Sequence, residues 1–477
     1  MKHVTGNTLV VISIASLLLA ATPSHAFDTL VDNGPSSNRV DVVFLGDGYT
    51  AADHTAGTYT TDINSYLGYM FSNTANTDPF HRYRNYFNVH SIDVFSNESG
   101  ADKPLDSIYV DTALDASYSW GGGVERLLYV SNSKANAAKN AGLSGASFSA
   151  EMQFVTVNDT KYGGGGGSYA VYAGGNNAAY EVAMHEMGHS FDNLADEYGG
   201  HAGPYAGGEP SEVNVTKNAT GAKWSHWLGY DQPGIGIIGA YEGARYYNTG
   251  LYRPSNSSKM RNLGRPFDVV GREKIILDIY ALVDPLDAWR DNSLPLTDPG
   301  DLFVERIDDS VIDVEWFVDG APVPGADGET FDLVNFGYGP GVYDVEARAF
   351  DPTGFDPVDG WVRVNTSELE QTVGWDVTVT PEPATMSLLL LGGLAALRRR
   401  RRARALPGAS ATAKASPEDA QGAEGEHRQC SRFGNRNYVR VRVPADCLDL
   451  QAEHVNFAPS PPKRIMPLRV RNCRRLA

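Results

Sequence analysis

The chain has 477 residues, of which 42% are hydrophobic and 21% charged; this composition excludes a globally disordered or collagen-like protein and allows two or three domains. Residues 27–397 carry 21 basic and 51 acidic side chains, whereas residues 398–477 carry 18 basic and 7 acidic ones. A body this acidic repels nucleic acid and anionic lipid, so neither is expected as a partner. The three cysteines all lie in the basic segment, which leaves the body without a disulfide or a thiolate nucleophile.

The N-terminus predicts a secretory signal peptide over residues 1–26. Lys2 and His3 precede an apolar run over 8–21, and a stretch of small residues ends at Ala26. A charged start, a short apolar run and an alanine exit are typical of a cleaved leader, and the run is short for a membrane span. We expect cleavage after Ala26; an uncleaved anchor is the alternative.

The first part of the body combines strand patterns with a helical pattern. The helix is predicted over 52–71, and the strands are predicted over 40–45, 86–95, 126–130, 153–157 and 168–173. Five consecutive glycines, Gly163 to Gly167, lie between the last two strands. No Gly-Lys-Ser/Thr sequence follows them and the next helix begins late, so they predict a flexible hairpin tip rather than a phosphate-binding loop.

The next segment contains the residues that carry chemistry. Apolar side chains at intervals of four, three, four and three predict a helix with one apolar face: Tyr180, Met184, Met187, Phe191 and Leu194. Asn176 or Asn177 can cap its start. His185 and His189 are four residues apart, so their imidazoles lie one turn apart and can together hold one Zn²⁺. Glu186 can then reach the zinc-bound water as general base, which is the His-Glu-x-x-His arrangement of metal-assisted peptide hydrolysis.

Zinc needs a third protein ligand and an open fourth position. Asp196 lies eleven residues after His185, which along a continuous helix is about 16 Å and too far for a shared metal. The helix must therefore end and the chain fold back, and Asn193 can take the left-handed conformation that ends a helix without glycine. Asp196 would then lie beneath the metal. Glu197 is the alternative ligand, and otherwise holds the turn or hydrogen-bonds near the site.

Several motifs in the same order resemble the IgA-peptidase-like zinc metallopeptidases over about residues 40–284. They are Val-Asp-Val-Val-Phe-Leu-Gly-Asp-Gly-Tyr-Thr from 40, Pro-Phe-His-Arg-Tyr-Arg-Asn-Tyr-Phe-Asn from 79, His-Glu-x-Gly-His with Leu-Ala-Asp-Glu-Tyr over 185–198, and Tyr-Arg-Pro-Ser-Asn-Ser-Ser-Lys-Met-Arg from 252. The resemblance implies zinc endopeptidase activity, an α+β fold of the zincin/metzincin type and one zinc per chain. The site that it implies consists of the ligands His185, His189 and Asp196, the base Glu186, and Met260 in a turn beneath the metal.

The strand that precedes the zinc helix is a candidate substrate-binding element. In zinc peptidases this strand usually pairs with the extended substrate, so the backbone of four residues is predicted to bind peptide: Tyr169, Ala170, Val171 and Tyr172. The alternative is an ordinary interior strand. Three later tyrosines are candidates to donate a hydrogen bond to the tetrahedral oxyanion, namely Tyr246, Tyr247 and Tyr252.

Residues 301–380 predict a separate all-β domain. Apolar and polar residues alternate around Val314, Val345 and Val377, and Gly, Pro and Asp turns separate these short strands. The pattern is typical of a small β-sandwich. No titratable cluster in it looks catalytic, so we interpret it as an accessory module that packs on the enzyme or binds a surface polymer.

A second targeting signal is predicted over residues 381–402. Pro381-Glu382-Pro383 leads into an apolar segment over 386–397, which is followed by five arginines. An apolar segment stopped by a basic cluster halts in a membrane with the cluster on the cytoplasmic side. The three parts resemble the PEP-CTERM sorting signal of Gram-negative bacteria; a plain C-terminal anchor is the alternative. The resemblance implies export, transient membrane contact, cleavage near Pro-Glu-Pro by an exosortase-type enzyme, and release to the cell surface or extracellular matrix.

The sequence thus predicts an exported, zinc-dependent endopeptidase that acts on protein or peptide substrates. Its parts are a signal peptide over 1–26, a peptidase domain over 27–300, a β-sandwich over 301–380, a sorting signal over 381–402 and a basic, low-complexity and disordered tail over 403–477. The alternative function is a non-catalytic surface or matrix protein that retains the peptidase fold. Loss of Glu186 or of a ligand would favour that alternative, and none is lost.

Overall fold

The computed structural model describes residues 27–120, 123–200, 202–356, 358–381 and 392–397. The predicted signal peptide, the predicted tail and about two thirds of the predicted sorting signal lie outside the described residues. Those described fall within one compact unit of the chain, Met1–Arg398. Among them, no helix is long and apolar enough to cross a membrane.

The first sheet has six strands in the order β1-β3-β2-β4-β6-β5. They are β1 (Phe27–Val31), β2 (Val40–Asp47), β3 (Phe87–Ile92), β4 (Met152–Val157), β5 (Gly164–Gly165) and β6 (Ala170–Ala173). The inner four pair in parallel, and β1 and β5 pair antiparallel at the two edges. All eight residues of β2 are buried, as expected for a central strand with both faces covered.

Several α-helices accompany the sheets in the described part of the chain. They are α1 (Ala51–Thr55), α2 (Thr58–Met70), α3 (Asn132–Gly142), α4 (Ala179–Ser190) and α5 (Val269–Tyr280). The single helix predicted over 52–71 is in fact two, because Thr50 caps α1 and Gly57 takes a left-handed φ of 76° between them. The strand predicted over 126–130 is not continuous: Leu127 and Tyr129 form only isolated bridges, to Gly164 and Ser117.

The segment between α4 and α5 adds short strands around the predicted site. They are β7 (Ala202–Pro204), β8 (Asp231–Gln232), β9 (Gly236–Ile237), β10 (Tyr241–Ala244) and β11 (Tyr247–Arg253). β10, β11 and β7 form one sheet, and β8 pairs with β9. The turn between β10 and β11 consists of Arg245 and Tyr246, both with left-handed φ values, of 49° and 68°.

The C-terminal part consists of two further sheets, in the orders β12-β14-β17 and β13-β19-β18-β15-β16. Their strands are β12 (Leu286–Trp289), β13 (Leu296–Thr297), β14 (Leu302–Arg306), β15 (Asp313–Val318), β16 (Ala321–Pro322), β17 (Thr330–Phe331), β18 (Gly341–Phe350) and β19 (Glu370–Val379). The Trp316 ring stacks on Phe331 of the other sheet, with the ring centroids 5.1 Å apart. The mixture of helices and separate sheets confirms the α+β class. The β-sandwich from 301 and its boundary stay predictions, since the first of these strands begins at Leu286.

Buried polar groups join the C-terminal sheets to the first part of the chain. Asp351, which is fully buried, accepts hydrogen bonds from Tyr83 Oη at 2.5 Å, Arg82 Nη2 at 2.8 Å and Tyr280 Oη at 3.1 Å. A charged group with three partners in such a place holds its neighbours in one arrangement. The two parts of the chain therefore share a buried polar network rather than a flexible linker.

Candidate metal centre

Helix α4 places two histidines above a buried core. Its Met184 and Met187 are fully buried, and Tyr66 Oη contacts Met184 Sδ at 3.4 Å. The N-cap residue is Ala178 rather than either predicted asparagine, although Asn176 Oδ1 accepts a hydrogen bond from the Ala178 N–H at 2.8 Å. The apolar face of the helix thus anchors the face that carries the histidines.

Backbone carbonyls orient both imidazoles. His185 Nδ1 lies 3.0 Å from the carbonyl oxygen of Lys259, and His189 Nδ1 lies 2.6 Å from that of Leu194. Because a carbonyl only accepts, each Nδ1 carries a hydrogen, and the Nε2 atom of a neutral ring keeps its lone pair. The two Nε2 atoms are 3.2 Å apart. A carbonyl on the far nitrogen is the usual support for a metal-binding imidazole.

The chain reverses after α4 and brings Asp196 to the histidines. Asn193 has a φ of 53°, and the N–H of Leu194 donates to the carbonyl oxygen of Gly188 at 2.8 Å. Asp196 Oδ1 then lies 3.2 Å from Nε2 of each histidine. The ligand atoms of His185, His189 and Asp196 all lie within 4.8 Å of one another, and the described part of the chain holds no second group of this kind.

The donor set of this cluster fits a divalent metal ion. Two imidazole lone pairs and a carboxylate oxygen face one point, so a positive charge must balance them. Without a metal, a proton supplies that charge: burial lowers the pKa of His189, but the hydrogen bond and charge of Asp196 raise it to about 9. Two histidines and one carboxylate are a common ligand set of zinc sites that keep an open position.

Glu186 lies beside the ligands, beneath the glycine run. A Cβ on Gly164 would lie 3.2 Å from Glu186 Oε1; one on Gly166 would lie 3.1 Å from Oε2 and 2.7 Å from His189 Cβ. Glycine is therefore required because the chain here lies directly on α4. The prediction of a flexible hairpin tip was wrong in part, since Gly164 and Gly165 form strand β5. Burial raises the pKa of Glu186 above its usual range, although the neighbouring histidines lower it.

Glu197 and Met260 support the cluster from behind. The fully buried Glu197 carboxylate accepts hydrogen bonds from Ser258 Oγ at 2.5 Å and Asn214 Nδ2 at 2.9 Å, and the Glu197 N–H donates to the carbonyl oxygen of Met260 at 2.9 Å. The Met260 sulfur lies 2.9 Å from where a Cβ on Gly188 would be, so this glycine lets the methionine pack against α4. The structure thus brings Asp196, and not Glu197, to the histidines.

Family models match two parts of the chain. Residues 29–235 match the model described as IgA Peptidase M64, and residues 379–402 match the PEP-CTERM protein-sorting motif. The resemblance to the IgA peptidases is thereby confirmed. No curated protein matches the chain. The IgA peptidase match supports a protease, and the sorting motif indicates export and cell-surface sorting in Gram-negative bacteria.

The candidate metal-binding cluster opens into a cleft of about 970 Å³. His185, Glu186, His189 and Asp196 all lie in its lining. Four further lining residues were not predicted from the sequence: Trp120, Arg126, Tyr162 and Tyr198. An isolated arginine or aromatic residue in a polar segment carries no periodic signal, so only its position in the fold reveals it.

The strand predicted to bind substrate is an interior strand of the six-stranded sheet. β6 pairs with β4 on one side and with β5 on the other, and Tyr169, Ala170, Val171 and Tyr172 are all buried. On the β5 side, Gly165 pairs with Val171 and Gly164 pairs with Tyr172. A substrate strand therefore cannot pair there with Val171 and Tyr172. Tyr169 and Val171 line the cleft together with the glycine run, and peptide binding by the backbone of Tyr169 and Ala170 stays a prediction.

Proposed function

We propose that this protein is an exported zinc endopeptidase that hydrolyses peptide bonds of extracellular proteins. One observation carries the proposal: three potential metal-ligand atoms converge on the wall of an open cleft, and the half-buried carboxyl group of Glu186 adjoins them. The ligands would be His185, His189 and Asp196. A nitrogen-rich set with one carboxylate suits zinc better than magnesium or calcium, which prefer oxygen ligands.

Glu186 is the proposed general base. A zinc ion, when bound, supplies a Lewis acid that polarises the scissile carbonyl and makes water more acidic. The Glu186 carboxylate accepts the proton of the attacking water and then passes it to the leaving amine nitrogen. Its partial desolvation supports this role, because it raises the pKa of the carboxyl group, and a carboxyl group with a raised pKa can both take up and release a proton.

Tyr246 is the proposed donor to the tetrahedral oxyanion. Of the three candidate tyrosines, it alone lies among the cleft-lining residues. Its hydroxyl is 3.2 Å from that of Tyr198, and its N–H donates to the carbonyl oxygen of Tyr198 at 3.0 Å. Tyr247 instead packs its ring against Tyr205. A hydroxyl held beside the ligands can stabilise negative charge where it develops.

Metal analysis together with a peptide digest tests the function. The purified protein should contain one zinc per chain, cut internal bonds of a peptide library, lose activity to a chelator and regain it with added zinc. Zinc without any turnover would favour the alternative, a non-catalytic surface or matrix protein. Cleavage that resists complete removal of metal would contradict the proposal.

Processing at both ends is the second part of the proposal. The surface form should begin near Phe27 and end near Pro381, after cleavage by signal peptidase and an exosortase-type enzyme. The C-terminal sheets would remain attached as an accessory module at the cell surface or in the matrix. Intact-mass measurement on protein from the native host decides this, and a soluble form that retains the arginine cluster contradicts it.

A further inference from the structure

Arg126 is a cation without a partner in the cleft of the proposed peptidase. Its carbonyl oxygen accepts a hydrogen bond from the N–H of Gly164 at 3.1 Å, which fixes its backbone against β5. Its side chain is exposed, and no hydrogen bond or ion pair to its guanidinium is found among the described residues. Because its backbone is fixed and its guanidinium has no partner in the protein, the side chain can form hydrogen bonds with a ligand in the cleft.

The other cations of the cleft are already engaged. Lys259 is fully buried and pairs with Glu181 at 2.5 Å. Arg261 donates to the carbonyl oxygen of Glu197 at 2.9 Å. Among the lysines and arginines that line the described cleft, Arg126 is thus the one whose side chain makes no hydrogen bond or ion pair within the described residues.

Arg126 lies close to the proposed reaction centre. Its carbonyl oxygen accepts a hydrogen bond from the N–H of Gly164, a Cβ on Gly164 would lie 3.2 Å from Glu186 Oε1, and both Arg126 and Glu186 line the cleft. No ion pair joins Arg126 to Glu186, so the Glu186 carboxyl group stays available to accept a proton from water. A guanidinium in this position faces whatever occupies the cleft close to the bond being cut.

We propose that Arg126 binds a carboxylate of the peptide substrate close to the scissile bond. A planar guanidinium pairs with a carboxylate through two parallel hydrogen bonds, and that pairing selects an acid over the isosteric amide. The surrounding body is strongly acidic and repels acidic peptides in general, so the preference is confined to one substrate position. The carboxylate belongs to an Asp or Glu side chain, or to the C-terminus of the substrate. The inference rests on the proposed peptidase function.

Matched pairs of fluorogenic peptides test the inference. Starting from a peptide that the purified protein cuts, Glu is compared with Gln at each position around the cleavage site, and a free C-terminus is compared with an amide. We expect kcat/KM to favour the acid by roughly tenfold at one position. A preference for Glu over Gln identifies the bound carboxylate as a side chain, and a preference for the free C-terminus over the amide identifies it as the C-terminus. Either result supports the role of Arg126.

The variants assign the preference to this side chain. The ratio of kcat/KM for the Glu peptide to that for the Gln peptide should fall to about one in Arg126→Gln and should be partly retained in Arg126→Lys. In Arg126→Glu the ratio should fall below one, and a peptide with Lys at the same position should be cut faster than the Gln peptide. Arg348→Gln, which removes an arginine from β18, should keep the ratio of the unmodified protein. A role in tuning Glu186 alone would change all substrates in parallel and leave the ratio intact, which would overturn the proposal.

The outcomes separate this inference from the function on which it rests. Metal-dependent cleavage with a ratio of one at every position, or a ratio that survives in Arg126→Gln, overturns the role of Arg126 and leaves the peptidase intact. Absence of any metal-dependent cleavage overturns the peptidase and the inference together.

Discussion

The carbonyl oxygen of Leu194 accepts a hydrogen bond from His189 Nδ1 at 2.6 Å. The segment that returns toward the histidines therefore also orients one of them. Because Asp196 follows two residues later, one backbone reversal at Asn193 both supplies a carboxylate and fixes the tautomer of an imidazole. The candidate metal centre is thus built by a helix and the turn that ends it.

Replacement of Glu186 separates chemistry from metal binding. Glu186→Ala should keep one zinc per chain, because this carboxylate is not among the three clustered ligand atoms. It should lower kcat by about 10²- to 10⁴-fold, the usual contribution of a general base. Metal content and turnover are measured on the same preparation. A variant that keeps full activity would exclude Glu186 as the base.

The two adjacent acids should behave differently. Asp196→Ala should lower zinc affinity by more than about a hundredfold, since loss of an outer-shell partner already costs 10- to 100-fold. Glu197→Gln should retain zinc, because the Glu197 side chain is hydrogen-bonded to Ser258 and Asn214 instead. Titration of both variants against a competing chelator decides between them. Loss of metal from Glu197→Gln alone would reverse the assignment.

The glycine run should not tolerate a side chain above α4. Gly166→Ala would place a methyl group 2.7 Å from His189 Cβ and 3.1 Å from Glu186 Oε2, so we expect weaker metal binding and lower turnover. Gly123→Ala is the matched control, since no atom lies within 4 Å of its added Cβ. Equal metal affinity and equal turnover in the two variants would contradict the observed packing.

A buried pair of acids should make the protein less stable at high pH. Burial, and then the charge of Asp278, raise the pKa of Asp192 well above its ordinary value. The folded protein therefore holds this proton more tightly than the unfolded chain does. The resulting stabilisation is complete below about pH 4 and is lost as the pH rises through the folded pKa.

The variant Asp192→Asn removes this titration, because its amide can donate to Asp278 at any pH. Between pH 6 and 9, the melting temperature of the variant should fall less than that of the unmodified protein. The difference between the two decreases should be roughly 2–4 °C for each kcal/mol of pH-dependent stabilisation that the unmodified protein loses. Asp309→Asn, at an exposed position, should leave the pH dependence unchanged. If melting temperature depended on pH in the same way in all three proteins, the folded protein would not hold a proton on the Asp192–Asp278 pair more tightly than the unfolded chain does.

The polar network between the two parts of the chain should be costly to break. Asp351→Ala leaves Arg82 without its carboxylate and Tyr83 without its acceptor, and loss of one partner of a buried pair costs about 3–5 kcal/mol in the free energy of unfolding. Glu315→Ala, which removes a partly exposed partner of Arg348, should cost less than about 1 kcal/mol. Denaturant unfolding measures both, and similar losses would mean that the Asp351 network adds no stability.

The sequence by itself determined the two histidines and the acid between them. An interval of four residues on one helix sets the relative position of His185 and His189 through local geometry alone. Local patterns also predicted individual strands and helices, because the period of the apolar residues distinguishes the two; the α+β class was implied by the resemblance to the IgA peptidases. The division of the helix over 52–71 escaped the pattern, since Gly57 interrupts the backbone without interrupting the apolar spacing.

Only the tertiary structure decided which residues surround His185 and His189. Gly164 pairs with the segment around Leu127 on one side and with Tyr172 on the other, and so makes β6 an interior strand. The same pairing positions Arg126 at the cleft, and the turn after β10 selects Tyr246 from three similar tyrosines. These relationships join residues far apart in the chain, and local periodicity carries no information about such pairs. Hydrogen bonding and close packing between distant segments fix them.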